Sequence, residues 1–124
     1  FPATAAEIAG ARLPPDRDSV SLLPVLLDRP DVQQEHPFLY WEYHGFGSAR
    51  ALRRGAWKAV RQPLSGGSLE LFDLDRDPGE REDLSGRHPD VVEEILRLME
   101  EAHTPSPLWP IPGVRTRTGR RAGR

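Results

Sequence analysis

Between Phe38 and Leu74 the chain is cut by glycine and proline into short runs of strand-favouring residues, and this punctuation limits its possible folds. Phe38–Tyr43 is rich in aromatic residues, which suit a pleated, half-buried surface. Gly45-Phe46-Gly47-Ser48 breaks that run. Ala49–Arg54 and Trp57–Gln62 then flank a tight turn at Gly55, and Pro63–Ser68, with Gly66 and Gly67, leads to a last run at Leu69–Leu74. Connections this short join antiparallel neighbours, so the segment predicts a four-stranded, mostly antiparallel sheet. Alternation along the first strand sets Phe38, Tyr40 and Glu42 on one face and Leu39, Trp41 and Tyr43 on the other. Both faces are largely apolar, which predicts a central place in the sheet for this strand.

The spacing after the sheet changes to that of a helix. Over Pro89–Ala102, Val91 or Val92, Ile95, Leu98, Met99 and Ala102 recur every three or four residues, while Asp90, Glu93 and Glu94 suit the positive N-terminal end. The apolar stripe is expected to cover one face of the sheet, with Trp41, Trp57, Ile95, Leu98 and Met99 meeting between the layers, giving an α+β fold. Two short helices are expected before the sheet. The first begins near Pro2 and ends at Gly10, and the second covers Leu22–Leu27, capped by Ser21 and carrying Pro24 in its first turn. The prolines of Thr104–Pro110 end the last helix and predict an extended strap anchored by Trp109.

Charge and composition exclude several functions. The 124 residues fit one domain, and the chain has neither Cys nor Asn, so there is no disulfide framework, thiolate metal site or cysteine nucleophile. Residues 1–112 hold 12 basic against 19 acidic side chains, a balance of −7 that argues against nucleic acid as the main partner. Residues 113–124 carry five Arg and no acid and are read as a basic disordered tail, able to meet polyanions by charge. No apolar run has the length of a membrane span. Asp75-Arg76-Asp77-Pro78-Gly79-Glu80 is acidic enough to suggest calcium, but an EF-hand spacing is not met and the stretch reads as turn chemistry.

Taken in order, Tyr40-Trp41-Glu42-Tyr43-His44, Arg53-Arg54-Gly55-Ala56-Trp57-Lys58, Leu71-Phe72-Asp73-Leu74, Asp77-Pro78-Gly79-Glu80 and Asp83-Leu84 resemble the C-terminal subdomain of the sulfatase family, the type-I aryl and glycosaminoglycan sulfatases. The resemblance runs from Phe1 to about Pro110, and the Thr-Pro-Ser-Pro strap adds to it. It departs at Asp18-Ser19, where the family has Asp-Gly, and at Asp83, where Asn is common. It implies that residues 1–30 are the helical tail end of a catalytic domain lying upstream, and that residues 38–112 form the C-terminal α+β subdomain. The absence of an initiator Met before Phe1 fits a piece of a longer polypeptide. Sulfatases use a formylglycine made within Cys/Ser-x-Pro-x-Arg together with a divalent cation, usually Ca²⁺. Neither that motif nor its metal cage occurs here, so no catalytic residue and no metal ligand is assigned, and both groups are expected in the upstream domain.

The residues able to meet substrate lie in Glu42–Arg54. The strand end is expected to bring Glu42 and His44 near Arg50, Arg53 and Arg54, and Arg offers a planar donor fork for sulfate or carboxylate oxygens. The resemblance implies a pocket-rim role, assigned to His44, Arg50 and Arg53. Glu42 and His44 alone are too few to hold a metal. A function of another class is a self-standing module that binds carbohydrate by stacking sugar rings on Tyr40, Trp41, Tyr43 and Trp57, or that serves protein interaction. Exposure of the aromatics at 38–43 discriminates the two.

Overall fold

A computed structural model describes residues 1–14, 18–45, 47–64 and 66–108. The expected Trp109 anchor and the basic tail at 113–124 lie outside the described residues. The chain divides into two compact units, Phe1–Pro37 and the part beginning at Phe38.

In the first unit, α1 spans Pro2–Ile8 and α2 spans Leu23–Leu26. Proline sits at the first turn of each, where a helix has no use for its N–H. The second helix starts one residue later than expected, with Leu22 rather than Ser21 at the cap position and no side-chain cap; the Ser21 hydroxyl accepts the Leu23 N–H at 3.1 Å from just outside, and buried Thr4 accepts the Leu22 N–H at 3.0 Å. Ile8, Leu22, Val25, Leu26 and Leu27 are all exposed. These helices bury little of their own apolar surface.

The second unit is an antiparallel sheet in the order β1 (Leu39–Tyr43), β2 (Ala49–Arg54), β3 (Trp57–Arg61) and β4 (Leu69–Asp73), followed by α3 (Pro89–Ala102). Gly55 turns β2 into β3 at φ 57°, a left-handed angle that glycine adopts without a Cβ clash. The register carries Tyr40, Leu52, Ala59 and Leu71 across one face of the sheet. There Leu52, Ala59 and Leu71 close a core with Ile95 and Met99 of α3, and Val91, Val92, Leu98 and Trp57 pack around it. The stretch before α3 is fixed by carboxylates. Asp83 accepts the Leu71 N–H at 3.0 Å and the Ser85 N–H at 2.8 Å, and Asp77 accepts those of Arg81 and Glu82 at 2.6 and 2.9 Å. Hydrogen bonding, led by the Leu71 N–H, holds the Asp83 carboxyl below its ordinary range.

Two expectations are corrected. Among the described residues, β1 lies at an edge of this sheet, paired only with β2. Trp41 does not meet the helix; it is 50% exposed, as Tyr43 is at 60%, on the face opposite α3. The helix instead covers the face that carries Tyr40 and Glu42. That face includes a carboxylate, which Tyr40, His44 and His103 partner.

Candidate functional site

Glu42 sits near the end of β1, directly across the ladder from Arg50 of β2. Its carboxylate receives three side chains. Oε1 accepts the Tyr40 hydroxyl and a 2.6 Å contact from Nδ1 of His103, the residue that ends α3, while Oε2 lies 3.2 Å from Nε2 of His44. Burial disfavours the charged form of Glu42, but the hydrogen bonds from Tyr40, His103 and His44 outweigh it, and the carboxyl lies below its ordinary value. Burial, and then Glu42, push the Tyr40 phenol well above its own.

An ionised carboxylate only accepts hydrogen bonds, so each imidazole must present an N–H toward it. This sets the tautomers: when neutral, His44 carries its proton on Nε2 and His103 carries it on Nδ1. His103 is 7% exposed, so one ring is buried beneath the helix end while His44 stands at the sheet rim.

The three residues assigned to the rim from sequence do not converge. Arg50 is 2% exposed on the helix side, its Nη2 2.8 Å from Glu100, and its Nε and Nη1 are buried without a hydrogen-bond partner among the described residues. Arg53 pairs with Leu39, at the far end of the hairpin from His44. At about 3.3 Å per strand residue, five residues separate Leu39 from His44 by about 16 Å. Arg53 is exposed there, with Nε donating to the Gly55 carbonyl at 3.2 Å. Arg54 is likewise remote from the rim and pairs with Glu94 of α3. Of the expected cluster, the fold brings together Glu42, His44 and Arg50. His103 enters it from 61 positions away, which local sequence patterns do not signal.

Among the described residues, no group of three His, Cys, Asp or Glu side chains is placed to hold a metal ion. The four aromatics proposed as a stacking platform are split between faces. Tyr40 and Trp57 lie partly buried on the helix side, Trp57 against the His88 ring at 4.9 Å, whereas Trp41 and Tyr43 stand exposed on the other.

No family model matches the chain. Individual proteins do. An uncharacterised sulfatase of Schizosaccharomyces pombe is 39% identical over 77 residues, covering 59% of this chain and 13% of its own length. Mouse arylsulfatase K is 33% identical over 99 residues, covering 72% of this chain and 18% of its own. Among solved structures, a 2-O GAG sulfatase superposes with a TM-score of 0.67 at 28% identity over 79% of this chain and 22% of the other. With sequence and fold agreeing, the chain belongs to the sulfatase family, as a segment spanning 13–22% of those relatives.

Proposed function

We propose that this chain is the C-terminal subdomain of a sulfuric ester hydrolase, packing against a catalytic domain and lending His44 to the rim of a pocket for sulfated carbohydrate or aryl sulfate. One observation carries the packing part. On the face opposite α3, Leu39, Trp41 and Tyr43 stand exposed in a row on β1, beside Ala49, Ala51 and Val60, and an apolar strip of this kind marks a contact surface. The chain's share of its relatives' length supplies the partner: most of a sulfatase is elsewhere. Within this reading, Arg50 supports the rim by tying β2 to α3, Arg53 meets the partner domain or substrate from the far end of the hairpin, and the formylglycine and Ca²⁺ belong to the catalytic domain. The nucleophile and the charges that stabilise the transferring sulfuryl group come from there too.

The exposed pair Trp41 and Tyr43 also favours a second reading, a carbohydrate-binding module. Titrating the chain with a sulfated disaccharide while following tryptophan fluorescence separates the two. The packing reading expects no saturable change, because Trp41 is reserved for protein. Saturable quenching that is lost in Trp41→Ala would replace it with the module. When the chain is part of the whole hydrolase, His44→Ala is expected to raise KM for a sulfated sugar by about tenfold, the loss of one good hydrogen bond of roughly 1.4 kcal/mol, with formylglycine formation intact. Unchanged kinetics would remove His44 from the rim.

A further inference from the structure

We infer that Glu42 is the positioning residue for His44, and that it does this as the centre of a clasp closed by Tyr40 and His103. The inference rests on the reading of His44 as a rim residue and adds what holds it there.

A histidine following a strand end can turn about two side-chain bonds, and a ring that must meet substrate in one orientation loses affinity for each alternative that it samples. Here Oε2 of Glu42, 3.2 Å from Nε2, gives the His44 ring a fixed partner. Glu42 is fixed in turn: Oε1 is held from one side by the Tyr40 hydroxyl, from the same strand, and from the other by His103 at 2.6 Å. His103 cannot wander, because it caps the C-terminal end of α3, its backbone N–H reaching the Met99 carbonyl at 3.2 Å, and Met99 is fully buried in the core. The ring at the rim is thereby tied through one carboxylate to the end of the helix that closes the buried core. This arrangement also explains why the helix-covered face of β1 is the one carrying an acid.

The clasp makes a demand that packing alone does not. His103 must carry its neutral-state proton on Nδ1, the less common tautomer of a free imidazole, and His44 must carry it on Nε2. Long-range ¹H–¹⁵N correlation spectra of the imidazole rings in the uniformly labelled chain, recorded above the pH at which histidines charge, read both. The expected result is His103 wholly as the Nδ1–H form and His44 as the Nε2–H form. In Glu42→Gln, His103 is expected to lose its single tautomer. In His103→Gln, which leaves Glu42 in place, His44 is expected to keep its own. The wild-type spectrum decides even if Glu42→Gln fails to fold. His103 in the Nε2–H form, or spectra indifferent to Glu42→Gln, would overturn the clasp. No substrate enters this measurement, so its failure is separate from failure of the rim reading, which the His44→Ala kinetics test.

Discussion

Replacing Ile95 with alanine is expected to cost about 2–5 kcal/mol of folding free energy, the range for deleting a buried aliphatic side chain and leaving its cavity. Ile95 is 1% exposed and lies in the cluster formed with Leu52, Ala59, Leu71 and Met99, where helix and sheet touch. Each kcal/mol lowers Tm by about 4–8 °C in a domain of this size, so a thermal melt should fall by roughly 8–40 °C or show no folded baseline. Leu98, only partly buried at the edge of that cluster, should cost less when truncated. A melt unchanged by Ile95→Ala would mean that α3 does not close the core.

The second large effect is expected from a charge. Glu100→Gln removes the countercharge of Arg50, whose side chain is 2% exposed, and leaves a guanidinium under the helix with two further nitrogens unpartnered among the described residues. Breaking a buried pair from one side costs roughly 3–5 kcal/mol. The Glu100 side chain is 52% exposed, so water reaches the bridge and the low end, about 3 kcal/mol, is the expectation. Arg50→Met, which removes the charge together with its unsatisfied donors and keeps a flexible apolar stem, is expected to lie within about 1 kcal/mol of the parent or above it. Denaturant unfolding of the two variants checks the contrast. A neutral Glu100→Gln beside a severely destabilised Arg50→Met would show that Arg50 is held by something other than this pair.

Much of the second unit was legible because its signals are local. Gly55 marks the hairpin turn, Pro89 the start of α3, and the three-and-four spacing of Ile95, Leu98 and Met99 the face that the helix buries. The side of β1 that faces the helix was not legible, since Leu39, Trp41 and Tyr43 are the more apolar set and by pattern alone belong inside. That choice is made by His103 and by the Arg50–Glu100 pair, partners supplied from far along the chain. The scatter of the expected rim residues has a similar origin. Arg50 and Arg53 are three apart in sequence, yet a strand sends one toward α3 and the other to the opposite face, further from His44.

The relatives that the chain matches are about four times its length, since 59% of the chain falls on 13% of one and 79% on 22% of another, and the central claim is that it works as one part of such a protein. The most direct test is to determine the coding DNA immediately upstream of the Phe1 codon. The account predicts an open frame running into it that encodes a Cys/Ser-x-Pro-x-Arg motif and the acidic metal ligands of a sulfatase catalytic domain. A frame closed by a stop codon directly upstream, or one encoding an unrelated domain, would contradict it.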